Sequence, residues 1–295
     1  MIQRLRPDFR RWVITIPWLW LAGLLLAPLL VLLALSLSQA VLAMPPYLPL
    51  WQTQPDGGVV WNISLESYQR LLADDLYWRA WLHSLKLAAG ACALTLACAY
   101  PMAYSIARAP RRWQSSLLLL ILLPFWTSFL IRVYAWVGIL KSNGLLNQLL
   151  LSSGLIEQPL QWLYTDFAVY LGITYSYLPL MVLPIYASLQ RIDDDLLAAA
   201  ADLGASAAQV FWRVTWPLSR AGVIAGCVMV FIPSVGEFVI PDLLGDSATP
   251  MIGQVVWAEF FHNRDWPMAA ALALSLLLLL VAPALGLRRL WEQHS

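Results

Sequence analysis

Charge is what this chain has least of. Only 12% of its 295 residues are Asp, Glu, Lys or Arg, about half the ~25% usual in soluble proteins, so lipid rather than water is the expected solvent. Eighteen Lys and Arg against 17 Asp and Glu leave a net charge of +1, which argues against nucleic acid as a partner. Lysine occurs only at Lys86 and Lys141. Neither follows a glycine-rich loop and no G-x-x-x-x-G-K-[ST] is present, so the chain has no ordinary cradle for nucleotide phosphates. Cys92, Cys98 and Cys227 sit inside apolar runs at no metal-like spacing and read as small packing residues. His83, His262 and His294 are scattered, and neither H-E-x-x-H nor G-x-S-x-G occurs. No enzyme activity, metal or cofactor of its own is expected.

What the chain does have is long apolar runs. Six are long enough to span a bilayer, at 13–37, 81–107, 117–140, 167–189, 222–244 and 268–287, each near the ~20 residues a crossing requires. The prediction is an all-α polytopic membrane protein with six transmembrane helices. The first run is much longer than the apolar core of a secretory signal, so it is read as an uncleaved span. The fifth is interrupted by Pro233, Gly236, Glu237 and Pro241. Orientation follows from Lys and Arg: 12 fall in the N-terminal segment, the even-numbered connections and the C-terminal end, and five fall on the opposite side. That bias puts both termini in the cytoplasm. One membrane domain over 1–295 is expected, with the first span and an external loop over 1–79, a five-span core over 80–289, and a tail over 290–295.

The external loop opens on a Pro-rich stretch and has a flexible centre at Pro55-Asp56-Gly57-Gly58. Ser64 is placed to cap a short helix carrying Leu65, Tyr68, Leu71 and Leu72 on one face. A strap over the outer end of the bundle and a surface for a partner are equally compatible with it. In the segment 141–166, Leu145, Leu146, Leu149 and Leu150 predict an interfacial helix. Trp257, Phe260, Phe261 and Trp266 lie among Glu259, Arg264 and Asp265 before the sixth run.

Between the fourth and fifth runs lies a different kind of sequence, AAAADLGASAAQVFWRVTWP over 198–217 within a loop spanning 190–218. Leu196, Ala200, Leu203, Ala207, Val210 and Val214 recur at three- and four-residue steps, giving one apolar stripe. Asp193, Asp194, Asp195 and Asp202 supply carboxylates at or near its start, where a helix dipole favours them. Gly204 predicts a joint between two short helices, and Pro217 the point where the chain turns back into the membrane. A membrane-surface helix favours Lys and Arg on its polar face, whereas this one is acidic, so the expected neighbour is a groove on another protein.

The segment resembles the cytoplasmic coupling loop of ABC importer permeases, E-A-A-x-x-x-G followed after nine residues by I-x-L-P. Ala199, Ala200, Gly204 and Pro217 fall on that pattern, Val214 and Trp216 replace its aliphatic residues, and Ala198 occupies the position of its Glu. The resemblance implies a type I ABC importer permease fold in which Ala199, Ala200, Asp202, Leu203, Gly204, Val210 and Pro217 meet a partner ATPase. ATP and Mg would then be bound by that partner.

Two charged residues lie away from the ends of spans, where lipid would be, Arg132 in the third and Glu237 in the fifth. Each costs ~2.5–3.5 kcal/mol at the bilayer centre on insertion scales. They either pair and pin two helices, or Glu237 faces a pathway and meets a cation. Pro233, Gly236 and Pro241 around Glu237 match a broken helix, which membranes tolerate only beside protein or water. Gly222-x-x-x-Gly226 permits a close helix approach, within this chain or with another.

The run AGCVMVFIPSVGEFVIPDLLG, with MIGQVV and EFFHNRDWPMAAA after it and SLESYQRLL before the second span, resembles the permeases of spermidine/putrescine-type ABC importers, nearest the putrescine-type subunit. This implies a polyamine pathway and gate at Pro233, Glu237, Phe238 and Asp242, with Trp136, Tyr134 and Trp257 as aromatic faces for a polycation. The implied partners are a second homologous permease, two ABC ATPase subunits, a periplasmic polyamine-binding protein and membrane lipid, all at a bacterial inner membrane. Another small cationic or organic solute, or an ATP-independent channel or secondary transporter gated by Glu237 and Arg132, are the alternatives.

Overall fold

Every long apolar run of the sequence becomes helix. The structure is a computed structural model that describes residues 7–53, 58–246 and 248–292, with side chains described between 13 and 281. Pro55, Asp56 and Gly57 of the expected flexible loop centre lie outside the described residues, as do Arg4 and Arg6. Among the described residues, thirteen α-helices and one two-stranded hairpin follow in order. They are α1 Pro7–Ser36, β1 Trp51–Thr53, β2 Val59–Trp61, α2 Glu66–Ala73, α3 Asp75–Arg108, α4 Arg111–Leu122, α5 Phe129–Leu140 and α6 Leu145–Ser152. Then come α7 Asp166–Leu189, α8 Asp194–Asp202, α9 Ala207–Val210, α10 Trp216–Val235, α11 Val239–Leu244, α12 Ile252–Trp257 and α13 Trp266–Glu292.

Among the described residues, four helices are long and apolar enough to cross a membrane: Val13–Ser36, Asp75–Arg108, Asp166–Leu189 and Ala207–Val235. A bent pair, Arg111–Trp126 and Phe129–Ser152, whose halves diverge by 89°, is apolar enough for a fifth, broken span or a re-entrant loop. The sixth run lies in α13, whose apolar described part is Trp266–Val281. Two expectations are corrected here. The third run is not one straight helix over 117–140: Pro124, lacking an amide hydrogen, ends α4 in a tight 3₁₀ turn over Leu123–Trp126, and Thr127 is extended. Pro217 does not turn the chain either. Ala207–Val235 is one continuous helical stretch, because a π-turn at Phe211–Thr215 hands the Trp216 amide to Phe211 O and absorbs the proline's missing donor.

The chain divides into two compact units, 78–254 and 1–77 with 255–295. In the first, α7 packs on α10 along the two glycines: a methyl on Gly226 would stand 2.7 Å from Met181 Sδ, and one on Gly222 2.5 Å from Ser188 Oγ. The Gly222-x-x-x-Gly226 contact is thus within this chain. Met181, Val182, Ile185 and Val230 fill one core with Ala99, Ala103 and Ile106 of α3. A second core joins Val133 and Leu140 of α5, Ile173 of α7, and Ile240 and Leu244 of α11. The loop after α6 is held by buried Asn147, whose Oδ1 accepts from Leu160 N (3.0 Å) and Trp162 Nε1 (3.2 Å), while its Nδ2 donates to Leu160 O at 2.9 Å.

In the second unit α1 packs on α13 and α2 on α13. Ser64 Oγ accepts the Glu66 amide at 3.2 Å, so the expected cap lies one residue before the helical N-cap, Leu65. Tyr68 Oη donates to Ser36 Oγ (2.8 Å), and Arg70 Nη1 donates to Asp265 Oδ2 (2.8 Å). That bond raises the Arg70 guanidinium above its ordinary value. Buried Glu259, in a π-turn over Ala258–His262, accepts from Tyr77 Oη (3.1 Å) and Asn263 Nδ2 (3.0 Å). Trp266 stacks on Phe260 at 5.1 Å and on Tyr47 at 6.0 Å.

Candidate functional site

Two places in the 78–254 unit carry the candidate chemistry, the break between α10 and α11 and the helix pair α8–α9. The break begins where α10 stops at Gly236 and α11 restarts at Val239. A restarting helix has first-turn amides without intrahelical partners, and Glu237 supplies them. Its Oε1 accepts from the amides of Phe238 (3.1 Å), Val239 (3.0 Å) and Ile240 (3.5 Å). Its Oε2 accepts from Tyr177 Oη of α7. The residue is only 8% exposed, and this set of donors is what makes a buried carboxylate tolerable. Around it the backbone is close-packed. A methyl on Gly253 would fall 2.5 Å from Gly236 O, and Ser84 Oγ accepts the Ile252 amide at 2.7 Å.

Glu237 and Arg132 are therefore not the pinned pair that sequence left open. Arg132 stacks its guanidinium over Phe125 (5.0 Å) and Phe129 (5.8 Å), and its Nε and Nη1 are buried without hydrogen-bond partners. The other expected pathway residues divide. Pro233, inside α10, and half-buried Phe238 flank Glu237, and Asp242 is exposed on α11 with its amide bonded to Phe238 O at 3.0 Å. Trp136 packs against the core that contains α11, edge-on to Tyr175 at 5.5 Å. Tyr134 is exposed on α5, and Trp257 packs on Phe261 at 4.1 Å in the other unit. Sequence reasoning missed Tyr177. A phenol in an apolar span needs a hydrogen-bond partner, and that requirement was the available signal.

At the second place α8 starts on Asp193, whose side chain accepts the Asp195 amide, and ends at Leu203. Gly204 turns the chain with φ +83°, a left-handed conformation that glycine takes at little cost. Ser206 and Gln209 then form a capping box that starts α9. Two short helices joined at Gly204 are therefore what the chain forms. Leu203 is 89% exposed, Leu196 and Trp212 are exposed, and Ala200 and Val210 are half-buried. Aromatic rings anchor the pair to α3: Phe211 meets Tyr100 (5.8 Å) and Tyr104 (6.0 Å), Trp216 meets Tyr100 (5.3 Å), and Tyr100 Oη bonds Ser219 Oγ at 2.9 Å.

A bundle of apolar spans, one broken around a buried carboxylate and two joined by an exposed helix pair, is the architecture of a transport permease. The family of binding-protein-dependent transport system inner membrane components matches residues 99–287, and the chain belongs to that family. The spermidine/putrescine transport system permease protein PotB of Escherichia coli (strain K12) is 42% identical over 213 residues, 72% of this chain and 77% of that protein. The PotB of Haemophilus influenzae is 34% identical over 274 residues, 92% of this chain and 90% of that one. The fold is that of a type I ABC importer permease. It matches a bacterial ABC transporter involved in the import of the acidic polysaccharide alginate, with TM-score 0.66 over 96% of each chain at 17% identity.

Proposed function

We propose that this chain is the inner-membrane permease subunit of an ATP-driven importer that passes putrescine, spermidine or a related polyamine from a periplasmic binding protein to the cytoplasm. The observation that carries this reading is the 42% identity to spermidine/putrescine permeases across 213 residues. A second, similar permease completes the pathway, and two ATPase subunits bind the ATP and Mg. Both termini lie in the cytoplasm, as the Lys and Arg distribution favours.

In this reading the α8–α9 pair seats in a groove of the ATPase. Leu203, Ala200 and Val210 bury their apolar surface there, Ala199 and Asp202 flank them, and Gly204 sets the angle between the two helices. Closure of the ATPase moves the pair, and the rings of Phe211 and Trp216 carry that motion into α3 and α10, with Pro217 inside the rigid stretch. Pro233, Glu237 and Phe238 then form a gate, because α10 and α11 can reorient about Gly236 while the Glu237 carboxylate travels with α11. Asp242, Trp136 and Tyr134 add negative charge and ring faces for a flexible polycation.

The test is uptake and ATP hydrolysis by the reconstituted complex supplied with binding protein loaded with putrescine or with spermidine. Stimulation by either supports the reading, and the larger response names the preferred polyamine. Hydrolysis indifferent to both, with uptake of neither, overturns the polyamine assignment.

A further inference from the structure

A cavity of about 550 Å³ lies where the end of α3, the start of α4 and the turn between α7 and α8 meet. Its lining includes three arginines, Arg108, Arg111 and Arg191, against two aspartates, Asp193 and Asp194. Both aspartates are engaged. Asp194 Oδ1 accepts from Arg108 Nη1 at 2.5 Å, and Asp193 Oδ1 accepts the Asp195 amide at 3.2 Å. The arginines are under-used: Arg108 Nη2 is buried without a hydrogen-bond partner, and Arg111 and Arg191 form no ion pair among the described residues.

The wall of the cavity is preorganised. Gln114 Nε2 donates to Ala107 O (3.2 Å) and Ala109 O (2.9 Å), and its Oε1 accepts from Tyr186 Oη (3.2 Å) and Gln190 Nε2 (2.9 Å). That one side chain ties the α3–α4 turn to the end of α7. The 12-residue helix α4 opens on the cavity at Arg111, and the first amides of a helix add donors suited to an anion. Guanidinium forks around a fixed polar cavity match the oxygens of a phosphate.

We propose that this cavity binds a phosphate group, supplied by the headgroup of an anionic phospholipid. The proposal rests on the topology given under the proposed function, which puts the cavity at the cytoplasmic leaflet, where basic pockets between spans take anionic headgroups. A free phosphate offers the same chemistry from the other side of the interface. Either would bring an acceptor beside the arginine that holds Asp194, the first residue of α8, so occupancy bears on the coupling helices.

The test uses the purified complex in nanodiscs and reads bound phospholipid by native mass spectrometry. Phosphatidylglycerol should remain on the wild type, phosphatidylcholine should not, and the double variant Arg111→Gln/Arg191→Gln should retain about tenfold less phosphatidylglycerol. Retention that survives millimolar inorganic phosphate identifies the lipid as the source. Inorganic phosphate bound by the wild type and lost in the variant, with no lipid retained, assigns the site to free phosphate. Equal retention of both lipids, or equal retention by wild type and variant with no difference in phosphate binding, overturns the site. Labelling of Ser115→Cys, an exposed position in the second turn of α4, by an impermeant maleimide in a chain whose Cys92, Cys98 and Cys227 are replaced by serine, compared in intact and permeabilised cells, tests the topology separately. Polyamine uptake by the same preparation tests the transport reading.

Discussion

Buried Glu237 and half-buried Tyr177 each hold a polar group that would be costly alone in a span, and each answers the other. Removing the phenol with Tyr177→Phe leaves Oε2 short of a donor, at a cost of ~1–3 kcal/mol. A lower melting temperature of the purified complex is the expected readout. Glu237→Gln is the more informative change. The amide oxygen can still accept from the α11 amides, so assembly should persist, while the lost negative charge should lower polyamine uptake about tenfold, the size of one charge-assisted hydrogen bond. Uptake at the wild-type rate in a normally assembled complex would reduce Glu237 to a helix cap. Asn147 is the purely structural counterpart. Asn147→Ala strands the Leu160 and Trp162 donors and Leu160 O together, so a loss of ~2–4 kcal/mol is expected, measured as thermal aggregation without any change in substrate preference.

At the scale of elements, the joint at Gly204 separates two kinds of behaviour. Proline there is incompatible with φ +83°, so Gly204→Pro should misplace α8 relative to α9. The expected result is ATP hydrolysis that continues while uptake falls at least about tenfold; equal uptake would show that the pair does not couple the two. Helix propensity, capping and hydrophobic run length made most of these elements legible in sequence. Six apolar runs, the Gly204 joint and the interruption around Glu237 all depend on residues near one another in the chain. What stayed hidden depends on distance. Tyr177 lies 60 residues from Glu237, and Arg70 lies 195 from Asp265, and no local pattern links such partners. The straight third span and the turn at Pro217 failed for a subtler reason. A proline announces a lost donor, but whether the backbone answers with a bend, as at Pro124, or with a π-turn, as before Pro217, is decided by the packing around it.

For the whole molecule, the proposed function reads the long apolar spans and the exposed helix pair as one subunit's share of a complex. Leu196 of α8, Leu203 at its end and Trp212 just after α9 remain exposed, and the chain belongs to the family of binding-protein-dependent transport system inner membrane components. The 78–254 unit contains both the Glu237 break and the helix pair, and Phe211 just after α9 and Trp216 at the start of α10 lie on the route the proposed coupling would take from α8 to the proposed gate. The measurement that tests this most directly is ATP hydrolysis by the complex purified through this chain and reconstituted in lipid, with binding protein empty, loaded with putrescine, or loaded with spermidine. A polyamine importer predicts a co-purifying ATPase that at least one loaded form stimulates several-fold over the empty one. An ATPase indifferent to both loaded forms, or uptake that proceeds with no ATPase present, would contradict it.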